Sequence, residues 1–275
     1  ISCLIPPMPP PAAVPLAAAA APIARADLIE GMAKGMAVLE SFDTARQRLN
    51  ATLAAQRAGL SRAAARRHLL TLAHLGYLET DGSQYWLSPR VLRFSGSYLS
   101  TARLPRLLQP VLQRLAQQQR AAFSAVVLDA DEVVIVATGG QHHDPARGPG
   151  TRLLAYGTHL GARLPAFATS TGRVLLAEWD RAMLAGWLKG RSLPRLTAHT
   201  CTTQVGLRKA VDAARQQGWC LAAEEHEAGV HALAVPLRDA QGQARAALNV
   251  ILPGACGEPQ AVVARWLPVL QQVAE

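Results

Sequence analysis

Acidic residues are in short supply: 19 Asp and Glu stand against 28 Lys and Arg, giving a formal net charge of +9 over 275 residues. The pI of about 10.1 that follows points toward a polyanionic partner. Composition discounts the point: arginine far outnumbers lysine and alanine is abundant, a bias that mutational pressure on coding DNA produces unaided. Cysteine is scarce as well. Cys3, Cys201, Cys220 and Cys256 show no CxxC spacing, which excludes a zinc ribbon or disulfide framework and fits a reducing cytosol. There is no unbroken apolar run of the roughly 18 residues that a membrane span needs. The run 12–24 is interrupted by Pro15 and Pro22 and follows no basic segment, so a signal peptide is not expected. GxSxG, Walker A, GxGxxG and HExxH are all missing, and there are no internal repeats.

Half of the residues are hydrophobic and 17% are charged, which describes a folded protein with room for two domains. Residues 1–26 read as a disordered Pro/Ala-rich tail. Order is expected from Asp27, where Leu28, Met32, Met36, Leu39 and Phe42 fall at helical spacing and Asp27 with Glu30 makes a capping-box-like start. The span 50–87 reads as a winged helix-turn-helix. Asn50 caps a helix over 51–58, Gly59 makes the turn, and Leu60 supplies an apolar plug. Ser61 caps a second helix over 62–75 that Gly76 ends. Strands over 77–80 and 84–87 flank the turn Asp81-Gly82-Ser83. The DNA-binding domain is thus placed at 27–88.

Linker helices are expected over 89–120. The second of them, 104–119, is punctuated by Pro105 and Pro110, and its stripe Leu104, Leu107, Leu108, Val111, Leu112, Leu115 suits either dimerisation or packing on its own domain. From 121 to 275 the pattern changes. Strands are expected over 123–128, 133–138, 152–156, 219–223, 231–237 and 244–252, and residues 160–165 lead into a small-residue loop. Helices are expected over 173–179, 181–188, 204–217 and 258–273, and 141–150 is a polar loop. Helices and strands mix without βαβ alternation, so the fold class is α+β.

Three constellations carry chemistry. In the second helix of the helix-turn-helix, Ala65, Leu69 and Leu72 face inward, leaving Arg62, Arg66, Arg67, Leu70 and His74 on or near the outward side, with Ser61 at the helix start as a further candidate contact. Arginines in the first turns of a helix oppose its dipole but suit guanine and phosphate contacts, so DNA binding is preferred over simple solvation of that face. The wing tip carries Asp81, which disfavours minor-groove insertion. In the run Thr169-Ser170-Thr171-Gly172, small hydroxyl residues before a helix offer amides to an anion or act as an ordinary N-cap. Glu224-Glu225-His226-Glu227 has the residue types of a metal or acid–base site, but without a second histidine at i+4 it reads as a charged loop. His142-His143-Asp144 is a similarly weak site. No catalytic, metal or cofactor site is expected.

These features together resemble the IclR family of bacterial transcriptional regulators over nearly all of 27–275, and within it the branch that governs protocatechuate, β-ketoadipate and 4-hydroxybenzoate catabolism. The resemblance rests on the run 27–35 (DLIEGMAKG), the run 164–177 (LPAFATSTGRVLLA), Glu225, Gly229 and Ala234-Val235-Pro236-Leu237. It implies a GAF-like effector domain with a curved antiparallel sheet, joined by a linker helix to the winged helix-turn-helix. In such proteins the loop matching Ser170, Thr171 and Gly172 holds the effector's carboxylate, and positions matching Val230, Ala232 and Asn249 form the opposite wall. Ala232, Ala222 and Ile251 stand where small-acid sensors can carry polar groups, which suits an aromatic acid. His231 replaces a commoner arginine and is expected to point away from Ala232. The implied partners are double-stranded operator DNA, a small carboxylic acid of aromatic or β-ketoadipate type, and further copies of the chain as a homodimer or tetramer. RNA polymerase is a further candidate partner, no membrane is involved, and the expected location is the cytoplasm, on the nucleoid. The competing readings are a GAF-like small-molecule-binding or redox enzyme with an accessory DNA-binding domain, and an architectural DNA-bound protein with no effector.

Overall fold

The first helix is shorter and less buried than its apolar spacing predicts. Helix α1 runs Glu30–Glu40, with Ile29 at its N-cap and no side-chain cap. The Asp27/Glu30 capping box therefore does not form, and Glu30 pairs with Lys34 one turn on, at 2.9 Å. Val38 and Phe42 enter the core, whereas Leu28, Met32 and Met36 stay exposed. The reason is size: the core beneath the helix reaches only its C-terminal turns, so the rest of the apolar face extends past it. The computed structural model describes residues 24, 26–43, 46–140, 159–253 and 258–275, in two compact units, Ile1–Ser100 and Thr101–Glu275.

In the N-terminal unit, Asn50 Oδ1 accepts from the amides of Thr52 and Leu53 to start α2 (Ala51–Ala58). Ser61 Oγ accepts from Ala64 to start α3 (Arg62–His74). Gly59 (φ 66°) and Gly76 (φ 79°) take the left-handed backbone that lets the chain leave each helix without strain. Ala65, Leu69 and Leu72 of α3 close a core with Val38, Leu49, Ala54, Leu78 and Tyr85. The wing is β1 (Leu78–Thr80) against β2 (Tyr85–Leu87), each one residue shorter than expected. After a turn at Pro89–Val91, α4 (Leu92–Thr101) leaves Leu92, Phe94 and Tyr98 exposed, with Phe94 stacked on Tyr77 at 5.7 Å.

The C-terminal unit begins with α5 (Arg103–Gln119), one helix despite Pro110. It is followed by β3 (Ala122–Asp129), β4 (Glu132–Gly139), β5 (Arg163–Pro165), α6 (Ser170–Leu176), α7 (Arg181–Leu188) and α8 (Gln204–Gln217). Then come β6 (Cys220–Ala223), β7 (Val230–Arg238), β8 (Ala244–Pro253) and α9 (Pro259–Ala274). The strands form one antiparallel sheet in the order β5-β4-β3-β8-β7-β6.

The two-residue period of the strands builds two cores. Leu233, Val235 and Leu237 of β7 join Phe123, Leu248, Val250, Leu112, Leu115 and Trp266 beneath α5 and α9. Ala234 joins Val126, Ile135 and Ala247 beneath Val174, Leu184, Leu188, Leu207 and Val211 of α6, α7 and α8. Each fully buried Leu or Val contributes about 1.5–3 kcal/mol.

The stripe on α5 splits: Leu112 and Leu115 are buried on the helix's own sheet, while Leu107 and Val111 remain exposed. Two further contacts seat α5. Gln109 Nε2 donates to Thr138 O (2.7 Å) and its Oε1 accepts from Thr138 N (3.2 Å), as a neighbouring strand would. At Gly139 a Cβ would lie 2.0 Å from the Leu112 carbonyl oxygen, so only glycine permits this approach.

Helix α6 starts three residues before the expected 173, because Thr169 Oγ1 accepts from Gly172 N (3.2 Å) and fixes the N-cap there. The expected strand 152–156, the loop 141–150 with His142-His143-Asp144, Cys3, Cys256 and tail residues 1–23 lie outside the described residues. Among those described, no helix is long and apolar enough to cross a membrane.

Candidate DNA interface and effector cavity

On α3 the expected residues share one exposed side. Ser61, Arg62, Arg66, Arg67 and His74 are all exposed, and Leu70 is 42% exposed among them. None of the three arginines has an ion-pair partner among the described residues. Three other arginines of this unit are engaged, whereas Arg46 and Arg93 are exposed. Arg57 pairs with Asp43 and donates from Nε to Ser41 O. Arg48 lies 4.2 Å over the Trp86 ring and 3.7 Å from Asp81, and Arg90 sits over Tyr77. Helix α3 thus carries three exposed arginines without an ion pair among the described residues. At the wing tip Asp81 accepts from Gln84 N, Ser83 N and Ser83 Oγ. These bonds hold its carboxyl below the usual range, so the tip stays anionic.

The C-terminal unit holds a cavity between the sheet face under α6 and the loop joining β6 to β7. Strand alternation puts Val230 and Ala232 of β7 and Asn249 and Ile251 of β8 on its wall, with Ala222 of β6. His231 is buried but is not among the wall residues. Ser124 and Asn249 are cross-strand neighbours on β3 and β8, and Ser124 Oγ donates to Asn249 Oδ1 at 2.5 Å.

Ser170 and Thr171, the first residues of α6, also line the cavity. Helix geometry leaves their amides without an intrahelical acceptor. The Ser170 hydroxyl is fully buried with no hydrogen-bond partner. Gly172 is not on the wall. Its amide is taken by Thr169, and a Cβ there would lie 2.1 Å from the Ala166 carbonyl oxygen. Its missing side chain serves the packing of α6 on the preceding turn, Ala166–Ala168, rather than approach to a ligand.

The loop between β6 and β7 is more than a charged connector. Glu225, His226 and Glu227 all line the cavity. The loop is pinned from outside by Thr197 Oγ1, donating to Glu224 O (2.6 Å), and Thr200 Oγ1, donating to Glu225 O (2.7 Å). From inside, Arg173 forks onto both Glu225 oxygens at 2.5 Å and donates from Nε to Phe167 O at 3.0 Å. Burial alone would lower the Arg173 guanidinium, but hydrogen bonding to Glu225 carries it above its ordinary value. Burial also pushes the neighbouring Cys220 thiol up to about 11 and lowers His226, whose Nδ1 is buried without a partner. No group of three metal-ligating side chains occurs among the described residues.

Sequence reasoning missed Ser124, Val126, Ile135, Leu164 and His226 as wall residues. The available signal was Ser124 itself, a lone hydroxyl in an otherwise apolar strand. What the cavity offers is apolar walls, a polar pair on the sheet, hydroxyl and amide donors at the start of α6, and the side chains of Glu225, His226 and Glu227 on the loop.

Two family models match the chain, one described as the IclR helix-turn-helix domain over residues 31–82 and one as the bacterial transcriptional regulator IclR C-terminal over residues 96–275. The chain is 46% identical over 248 residues to a Pca operon regulatory protein of Acinetobacter baylyi, covering 90% of this chain and 87% of that protein. It is 48% identical over 248 residues to a p-hydroxybenzoate hydroxylase transcriptional activator of the same organism, covering 90% of each. Among solved structures it is similar to a double mutant of the inducer-binding domain of the PobR transcription factor from Acinetobacter in complex with 3-hydroxybenzoic acid. The identity there is 43% and the TM-score 0.56, over 63% of this chain and 96% of that one.

Proposed function

The chain belongs to the IclR family of bacterial transcriptional regulators, and from that premise we propose that it controls genes for aromatic-acid breakdown in response to a small aromatic acid bound in its C-terminal cavity. The observation that carries this reading is the cavity's make-up: an apolar space with the unpartnered Ser170 hydroxyl and the amides of Ser170 and Thr171 at one end. The apolar wall residues suit a ring and the donors suit a carboxylate, each hydrogen bond to the charged group contributing roughly 1.5–3 kcal/mol. Val230, Ala232 and Asn249 form the opposite wall. The relatives' roles in the Pca operon and p-hydroxybenzoate hydroxylase expression support the pathway.

The test is a thermal-shift screen of the purified chain against protocatechuate, 4-hydroxybenzoate, β-ketoadipate, muconate and pyruvate. A ligand at 100 times its Kd stabilises by about 2.7 kcal/mol, and a screen in which no acid raises the melting temperature would sink the reading.

Operator DNA is read by α3, with Arg62, Arg66, Arg67 and His74 toward the groove and Ser61 at the helix start. One winged helix covers a half-site, so the working form is a dimer or a pair of dimers. The faces that join the copies are the exposed apolar ones of the N-terminal unit, Leu28, Met32 and Met36 on α1 and Leu92, Phe94 and Tyr98 on α4. Sedimentation showing a monomer at micromolar concentration with full operator affinity would refute the dimer.

A further inference from the structure

We propose that the groove along the outer edge of β6, between α8 and α9, is a second ligand site that takes an aliphatic monocarboxylate, and that its occupant opposes the acid in the effector cavity. Strand β6 ends the sheet. Helix α8 packs on the face of the sheet that carries Cys220, and α9 on the face that carries Trp219 and Leu221. Between them the two helices leave a groove of about 520 Å³, within the range of sites that hold organic ligands. Its walls are aliphatic: Ala210 and Ala213 from α8, Val263 and Ala264 from α9, and Leu221 from the strand. Deepest in it lie Arg173 and Cys220, 3% and 5% exposed, and among the described residues no Asp or Glu lines it.

The Arg173–Glu225 pair is the partition between this groove and the effector cavity. Arg173 lines the groove and not the cavity, Glu225 lines the cavity and not the groove, and the fork between them is 2.5 Å long. The pair thus turns its positive end to the groove and its negative end to the cavity. Of the five N–H groups of a guanidinium, one donates to Phe167 O and two to Glu225, which leaves two. The Cys220 thiol, which Arg173 also contacts, is pushed up to about 11 by burial, so it keeps its proton and adds no negative charge. An anion that leaves water needs charged donors to replace its hydration, and Arg173 supplies them while the aliphatic walls cover the chain behind it. A carboxylate bound there shares the guanidinium with Glu225. The less of that charge Glu225 retains, the more its own carboxylate repels an acid in the cavity. Such coupling is reciprocal, so each ligand weakens the other. The coupling rests on the effector reading of the cavity; the groove site itself does not.

The test is isothermal calorimetry of the full chain with decanoate, and with decylamine as its cationic counterpart. Decanoate is expected to bind one to one, and decylamine at least about tenfold more weakly, because a buried guanidinium rejects a cation. Ala213→Trp, at an exposed position of the groove wall, fills the groove without entering the core. It should weaken decanoate by about tenfold or more by taking its space, and melting curves establish that the variant is folded. With 4-hydroxybenzoate as the probe of the effector cavity, saturating decanoate should raise its Kd about fivefold or more in the wild type and leave it unchanged in Ala213→Trp. No binding of decanoate, equal binding of decylamine, or undiminished decanoate affinity in folded Ala213→Trp overturns the groove site. A Kd for 4-hydroxybenzoate that decanoate leaves alone, or raises equally in the variant, overturns the coupling. If 4-hydroxybenzoate does not bind the wild type, the coupling falls with the effector reading, while the decanoate titrations still decide the groove.

Discussion

Replacing Glu225 with alanine would strand the Arg173 guanidinium in an interior where its side chain is only 4% exposed. Burial already acts to lower that group, and the hydrogen bonds to Glu225 offset it. Glu225 is itself 14% exposed, so solvent screening does little to soften the loss. Breaking a buried pair from one side typically costs about 3–5 kcal/mol, because the remaining charge has no counterpart. The Cys201 amide, which donates to Glu225 at 3.2 Å, loses its acceptor too. For a unit of roughly 150–250 residues each kcal/mol shifts the melting temperature by about 2–4 °C. The C-terminal transition of Glu225→Ala should therefore drop by roughly 6–20 °C in scanning calorimetry. The double variant Arg173→Met/Glu225→Leu, which removes both charges and keeps the volume, should recover most of that loss. A single-variant drop under about 3 °C, or a double variant no better than the single, would refute the claim that this pair holds the cavity loop in place.

The triple variant Arg62→Ala/Arg66→Ala/Arg67→Ala should abolish specific operator binding in gel shifts. Arg67→Ala alone should lose about 1–3 kcal/mol if it reads a base, or flatten the salt dependence by about one unit if it grips a phosphate; unchanged affinity in the triple variant removes α3 from the interface. Gly172→Ala should destabilise the C-terminal unit by about 1–3 kcal/mol or more through overpacking against Ala166, lowering its melting temperature even without ligand. A variant as stable as wild type but deaf to effector would place Gly172 in the ligand site after all. Cys220, held at about 11 against an ordinary 9.0, keeps its proton more tightly folded than unfolded. Its contribution to stability is thus full below pH 9 and lost as the pH rises through 11. The fall in melting temperature over that window should be shallower in Cys220→Ala than in wild type, and identical slopes would contradict it.

The helix-turn-helix was legible because its determinants are local: Asn50, Gly59, Ser61 and Gly76 each act within a few residues. Strands β3, β4, β6, β7 and β8 were legible for the same reason, since alternation is a two-residue signal, whereas the three-residue β5 (Arg163–Pro165) was not expected as a strand. The cavity was only half legible. Ser170 and Thr171 came from the helix-start pattern and Val230, Ala232 and Asn249 from the resemblance, whereas Ser124 depends on pairing with a residue 125 positions away. The pinning of the β6–β7 loop likewise depends on Arg173, 52 positions from Glu225, and no local pattern encodes either. The errors are as physical as the successes. An apolar stripe looks the same whether it meets its own core or something else, which is why the spacing of Met32 and Met36 gave a helix but not their exposure, and Leu104–Leu115 was left between two roles. A glycine before a helix looks the same whether a ligand or a neighbouring carbonyl needs the space, which is why Gly172 was put in the pocket.

The seating of α5 decides where this protein could be recombined. Gln109 completes the hydrogen bonding of Thr138, and Gly139 lets the helix backbone rest on β4, so a segment that looks like a tether is a wall of the sensor. A chimaera joined just before Arg103 would carry its sensor intact onto a foreign DNA reader. One joined after Arg120 would strip Leu112 and Leu115 from the sheet and lay Phe123 open to water. The natural unit of exchange among such regulators therefore ends inside the run of helices, and shuffled proteins spliced at the far end of α5 should fail to fold before they fail to respond.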